Sequence, residues 1–482
     1  MNMDASQRSI LSYLKDLASL QPEKPLLGSD AHWLSAGKVL SLVEHVATAL
    51  RRMNISGTTV AVRCTRTLET AILLLSLRAA GAVAVLIDPR EDVETALGQT
   101  DAEIPVQAVI AQTGQTVFHI TRGETSAELD LFALPPSAGS LLHSNADEPA
   151  FVIFTSGSTG KSKAVVLTEG NLVNNLIDSH PLGDYQPDDR ALGALPLHHV
   201  FGLVLLSGAA VLGYGIFFPE KTDIASILCA IEAQRLTRMN GVPSLYLAMA
   251  EQCGGHDLSS LRAGFIGGAP ITVEQFLRIE RTLDMTLISV YGMSECIGIA
   301  CSAASAPEHQ RAKTVGAFYP MNTGKILRAD GTEADLMEEG EICVTGPARM
   351  WGYYGHPMPR EELLHTGDLG FLDANGLLHL TGRKKDIIIR NGNNLSPRRI
   401  EQALLALPGV KEAIVVGIPD EHQGEVPAAM VVADAVLAPL HPALAKNELP
   451  VLYHFTDHLP MTASGKPDRQ KIREVLMACR NG

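Results

Sequence analysis

Nine consecutive residues, Thr155-Ser156-Gly157-Ser158-Thr159-Gly160-Lys161-Ser162-Lys163, follow directly on the apolar run Phe151-Val152-Ile153-Phe154. Glycines let backbone N–H groups come close to an oxyanion, and the hydroxyls of Ser156, Ser158 and Thr159 add further donors. Lys161 and Lys163 place positive charge beside them. A buried strand running into such a loop is a phosphate cradle, so the segment reads as a nucleotide triphosphate site. The Walker A loop is excluded, because its first glycine would fall at position 155, which is threonine. Taken alone, a Ser/Gly/Thr cluster also fits a plain surface turn.

The company of this loop decides between the two readings. Tyr291-Gly292-Met293-Ser294-Glu295, His365-Thr366-Gly367-Asp368, Gly382-Arg383-Lys384-Lys385-Asp386 and Ser464-Gly465-Lys466 follow in that order. Together the five segments resemble the motif series of the adenylate-forming superfamily, which includes acyl-CoA synthetases, peptide-synthetase adenylation domains and firefly luciferase. The resemblance spans roughly residues 20–475. It implies ATP and Mg²⁺ as cofactors, and a reaction in which a carboxylate attacks the α-phosphate to give an acyl-adenylate. Such chemistry needs cations and backbone donors that bring two anions together.

Roles follow from the resemblance residue by residue. The loop from Thr155 to Lys163, with Ser156, Gly157, Ser158, Thr159, Gly160 and Lys161, would hold the β- and γ-phosphates. Glu295 would be the carboxylate near the metal, and Lys466, Glu295 and Thr155 the catalytic set, with Lys466 principal in the first half-reaction. Asp368 would bind ribose and Arg383 ribose or phosphate. Tyr291 would offer adenine a flat face, with Gly268, Ala269 and Pro270 as the opposite wall and Gly292 and Ser294 flanking it. Lys385 would be the hinge of a rotating carboxy-terminal domain. By residue type alone, Glu295 also reads as an acid in a first helical turn, Asp368 as a turn cap and Lys466 as a solvated charge.

The segment Leu195-Pro196-Leu197-His198-His199-Val200-Phe201 resembles the one that carries a pocket histidine in aryl- and fatty-acyl-CoA synthetases. His199 falls at that site, with Phe201, Met293 and Ile299 as further pocket residues. Amino-acid-activating relatives place an aspartate near here to pair the α-amine, and no acid lies between Arg190 and Glu220. The expected substrate is therefore a fatty or aryl acid and not an amino acid. The acceptor is CoA or the phosphopantetheine of a separate carrier protein, since Arg390-Asn391-Gly392-Asn393-Asn394 only half matches the usual paired glycines. A stand-alone adenylation enzyme serving such a carrier, and a degenerate nucleotide-binding relative, are the alternatives.

The elements that must position these residues alternate. Helical spacing over 35–53, 67–80, 226–235 and 273–283 is interleaved with strand runs at 59–62, 82–87, 262–266 and 286–290, which predicts α/β layers with parallel strands. From about Thr314 the texture becomes short strands and turns, read as a small β-barrel-like lobe. A strand at 386–389, a helix at 397–407, a strand at 413–416 and a helix at 469–478 form a small mobile α+β domain. The division is 1–384 and 385–482. With 482 residues, more than one domain is expected.

A net charge of −14 without a basic stripe excludes a nucleic-acid binder. Seven cysteines without C-x-x-C spacing fit a reducing compartment, and residues 1–20 lack the apolar core of a secretory signal, so a cytoplasmic location is expected. The charge-free stretch from Arg190 to Glu220 is long enough to cross a bilayer, but Pro196, His198, His199, Gly202, Gly208, Gly213 and Gly215 interrupt it, so no membrane span is expected.

Overall fold

Several helices in this chain begin where a small side chain accepts from an amide of the first turn. The computed structural model describes residues 8–134, 145–155, 161–433, 444–461 and 467–481. In it Ser35 caps helix Ala36–Arg52, Thr67 caps Leu68–Ala80 and Asp223 caps Ile224–Gln234. Thr168 with Asn171, and Thr272 with Gln275, form reciprocal capping boxes at helices Glu169–Ser179 and Val273–Leu283.

Two nine-stranded sheets take up the apolar strands. The first runs Ala317–Phe318, Cys296–Cys301, Thr286–Met293, Ala263–Ile266, Arg238–Met239, Arg190–Leu192, Gly215–Phe218, Pro25–Ser29, Trp33–Ser35, parallel in its centre and antiparallel at both ends. The second runs His356–Pro357, Gly352–Tyr353, Lys163–Thr168, Pro149–Thr155, Val83–Ile87, Thr59–Arg63, Ala108–Gln112, Val117–Arg122, Thr125–Asp130. Alternation sorts its side chains: Val60 and Val62 enter the main core, while Ala61 joins Val85 and Ala164 on the other face. Helices Ile10–Leu20, Ala36–Arg52, Leu68–Ala80, Glu169–Ser179 and Val200–Leu212 share that main core with strands of both sheets and form the layer between them. Helix Val200–Leu212 is the charge-free stretch, and among the described residues no helix is long and apolar enough to cross a membrane.

The lobe differs from its expected form. Strands Thr323–Leu327, Gly340–Thr345, Leu364–Leu372 and Leu378–Arg383 make an open four-stranded antiparallel sheet, and among the described residues its two outer strands do not meet to close a barrel. The intervening segment is used elsewhere: Gly352–Tyr353 pairs with Lys163–Thr168 in the second large sheet.

The carboxy-terminal sheet is built on one long hairpin, Val410–Asp420 with Gly424–Ala433, where only a short strand was expected. Helix Pro397–Leu405 covers one face through Ile400 and Leu404, and helix Arg469–Asn481 the other through Ile472 and Leu476. Neither of these clusters contains a residue before Ile388.

One ion pair ties three helices of the middle layer. Arg78 Nε lies 3.1 Å from Glu169 Oε1, with side chains 2% and 0% exposed, and Glu169 Oε2 accepts the amide of Ile10 at 2.8 Å. Removing one partner strands a buried charge, a loss of about 3–5 kcal/mol. Glu169→Ala should therefore lower the urea midpoint by that amount in free energy at unchanged slope; a midpoint equal to that of the unaltered chain would show that the pair does not hold the layer together.

Candidate active site

The site residues stand where strands end. Thr155 closes strand Pro149–Thr155, Gly268, Ala269 and Pro270 follow strand Ala263–Ile266, and Tyr291 to Met293 close Thr286–Met293. Ligands of open α/β sheets bind outside such carboxyl ends. Gly268 has φ +81°, a left-handed turn that strains other residues. At Gly292 a Cβ would come within 2.1 Å of the Ile297 carbonyl oxygen, so the tight reversal into strand Cys296–Cys301 requires glycine.

That reversal presents Glu295, which is 8% exposed. The hydroxyl of Tyr353 donates to Glu295 Oε1 at 3.1 Å, and Lys163 Nζ sits 4.8 Å from the centroid of the same tyrosine ring. Lys163 is the register partner of Thr155 at the mouth of the phosphate loop. Tyr353 thus connects the loop region of one sheet to Glu295 at the end of the other. Burial, then the charge of Glu295, pushes the phenol well above its usual range, so it remains a donor. Sequence reading missed Tyr353; the glycine- and aromatic-rich Trp351-Gly352-Tyr353-Tyr354-Gly355 was its signal.

Asp368, 6% exposed, is the centre of a second cluster. Tyr291 donates its hydroxyl to Oδ2 at 2.7 Å, and Arg383 donates Nε to Oδ1 at 2.7 Å. Asp368 and Arg383 are direct register partners on adjacent lobe strands. Each carboxylate oxygen keeps a second lone pair for an incoming hydroxyl. Tyr291 is only 7% exposed, so its stacking face is not open in this structure. Arg398, from the carboxy-terminal helix Pro397–Leu405, also lies close enough to feel the charge of Asp368, and its Nε is buried without a hydrogen-bond partner. Nothing in the local sequence around Arg398 signals this placement.

The expected acid pocket is assembled in part. Phe201, half-buried, packs with Phe265, Ile288, Cys301 and Tyr319, directly beside the loop that carries Gly268. His199 is half-buried at the start of helix Val200–Leu212, Met293 is half-buried, and Ile299 is fully buried in the main core. The ring of His198 lies tilted against that of His199, centroids 4.4 Å apart, and its Nε2 lies 3.6 Å from Asp88 Oδ2. This acid comes from a distant strand end and was invisible in the local sequence. Asp88 is already gripped by Arg90, whose Nε and Nη2 donate at 2.9 and 2.5 Å, and that contact holds its carboxyl down at about 2. Burial is the main cause that lowers the His198 pKa, so its imidazole is held neutral. Lys385 is exposed in the 3-10 turn Lys384–Asp386. Ser156, Gly157, Ser158, Thr159, Gly160 and Lys466 lie outside the described residues.

Residues 14–354 match the family model of AMP-binding enzymes, and residues 399–466 match that of the AMP-binding enzyme C-terminal domain. The chain belongs to the AMP-binding enzyme family. It is similar to a feruloyl-CoA synthase of Amycolatopsis sp., 33% identical over 428 residues that cover 82% of this chain and 84% of the relative. A 2-succinylbenzoate–CoA ligase of Bacillus cereus is 31% identical, with 96% and 98% covered. Among solved structures, o-succinylbenzoate CoA synthetase (MenE) from Bacillus subtilis in complex with the acyl-adenylate intermediate OSB-AMP superposes with a TM-score of 0.81 at 25% identity, covering 96% of this chain and 97% of that one.

For an AMP-binding enzyme the Asp368 cluster makes a direct expectation. Asp368→Ala removes a charged acceptor, at about 1.5–3 kcal/mol per hydrogen bond to a charged group. Calorimetric AMP binding should weaken accordingly; an unchanged affinity would remove Asp368 from the nucleotide site.

Proposed function

We propose that this chain is an ATP- and Mg²⁺-dependent acid–thiol ligase that converts a fatty or aryl carboxylic acid to an acyl-adenylate and then to a CoA thioester. The observation that carries the reading is the buried carboxylate of Asp368, held by Arg383 of the adjacent lobe strand and by Tyr291 of the strand that leads toward Glu295. CoA as the acceptor is supported by the relatives, which are named as CoA synthase and CoA ligase.

Asp368 and Arg383 fix the ribose, and Gly268, Ala269 and Pro270 border the base. Lys161 and the donors of residues 156–160 hold the pyrophosphate portion. Glu295 fits a hard cation, because it is an oxygen donor kept in place by the Tyr353 hydroxyl at 3.1 Å. Magnesium bound there would offset phosphate charge. Lys466 reaches the substrate carboxylate and the α-phosphate during adenylation and stabilises the charge that develops.

Domain rotation then exchanges residues at one site. Residues 1–384 and 385–482 form the two bodies, a division supported by the separate apolar cores of the carboxy-terminal unit. Lys385 is the hinge. For the acid, His199 and Phe201 offer an uncharged wall, and Asp88, the acid nearest to that segment, is neutralised by Arg90 and so is no partner for an α-amine. Free cysteines throughout support a cytoplasmic location.

Two measurements test this. Pyrophosphate release should be stimulated by aryl or aliphatic acids, with thioester appearing on addition of CoA; stimulation by amino acids alone would overturn the substrate class, and transfer only to a phosphopantetheine-bearing carrier would overturn the acceptor. Lys466→Ala should lose most pyrophosphate release while still converting supplied acyl-adenylate to thioester. Lys385→Pro, which fixes φ near −65°, should spare the first step and block the second. Equal losses in both assays for both variants would rule out rotation about this hinge.

A further inference from the structure

On the lobe sheet, beside the strand segment that carries Asp368, three metal-ligating side chains of different chemistry converge. Glu341 and Cys343 are two residues apart on strand Gly340–Thr345 and share a face. Cys343 pairs in register with His365 on strand Leu364–Leu372. Cys343 Sγ lies 3.4 Å from His365 Nδ1, and that nitrogen lies 3.3 Å from Glu341 Oε2. All three ligand atoms fall within 4.8 Å of one another.

These spacings are those of a coordination shell. Zinc bonds of about 2.0–2.3 Å give tetrahedral edges of roughly 3.3–3.8 Å, so two edges are already formed and a turn of the Glu341 carboxylate closes the third. The contacts are less suited to hydrogen bonding alone, because one ring nitrogen serves both thiol and carboxylate. Glu341 is also oriented as a metal ligand would be: its Oε1 accepts the amide of Gly367 at 3.2 Å. One ligand oxygen is already paired with an ammonium, Lys384 Nζ, 3.1 Å from Glu341 Oε2.

We propose that Glu341, Cys343 and His365 form a binding site for a divalent cation of the zinc class, with Lys384 as its built-in competitor. Thiolate, imidazole and carboxylate together select zinc over magnesium, so the site is distinct in chemistry from Glu295. The exposed edge of His365 gives access, its side chain being 59% exposed. Binding replaces the Cys343 thiol proton, which leaves to solvent, and water completes the fourth position. Lys384 is then released from Glu341. Since Lys384 adjoins Lys385, an occupied site alters the contacts that hold the turn; this consequence rests on the proposed hinge, whereas the metal binding does not.

The test uses the full chain stripped with a chelator and titrated with Co²⁺ as the probe. One equivalent should produce a thiolate-to-cobalt charge-transfer band in the near ultraviolet, and Zn²⁺ should displace it. Cys343→Ser and the surface variant His365→Gln should both lose the band while AMP binding stays intact, which also shows that they fold. Lys384→Met should tighten Co²⁺ binding by roughly tenfold, the expected effect of removing one charge about 5 Å from a dication. Absence of the band, or its persistence in the His365→Gln variant, overturns the site; an unchanged affinity in Lys384→Met overturns the competition.

Discussion

The buried carboxylate of Asp368 is the constraint on which the rest depends. Its two oxygens are held by Tyr291, from the end of a strand in the first large sheet, and by Arg383, the last residue of a lobe strand. A carboxylate this buried is stable only while its partners remain in place, so its position fixes how the lobe sits on the sheet. Arg383 also immediately precedes the 3-10 turn Lys384–Asp386. The Asp368 cluster and the start of the link to the small domain are therefore neighbours along the chain.

A second coupling is carried by Tyr353, whose ring lies under Lys163 and whose hydroxyl reaches Glu295. The same segment also ties the sheets through its backbone, the amide of Met350 donating to the Glu295 carbonyl and that of Trp351 to the Val166 carbonyl, both at 2.9 Å. Because Tyr353 belongs to a two-residue strand added to the edge of the second sheet, one side chain links Lys163 of that sheet to the Glu295 carboxylate at the end of the first. This also explains why the lobe remains open. The segment that might have closed it is paired to Lys163–Thr168, where it serves the site.

Elements set by local chemistry were legible in the sequence. Ser35, Thr67 and Thr272 mark helix starts to the residue, and the apolar runs at 59–62 and 82–87 became neighbouring parallel strands. Ordered motifs located Asp368, Arg383 and Glu295. What escaped depends on distant partners. The strand Gly424–Ala433 reads as weakly patterned, since helices cover both of its faces and remove the alternation. Tyr353, Arg398 and the Asp88–His198 contact come from sequence separations that no local pattern records.

The Asp88–His198 contact shows why composition alone could not define the acid pocket. A segment without acids or bases had implied an uncharged wall, yet the fold places a carboxylate within 3.6 Å of its histidine. What preserves the uncharged character is the arginine two residues further on: Arg90 takes both oxygens of Asp88, and burial keeps His198 neutral beside it. The surface offered to His199 is therefore close to neutral although it contains one acid, one base and one imidazole. A second cation entering there would face Arg90 across a carboxylate already satisfied.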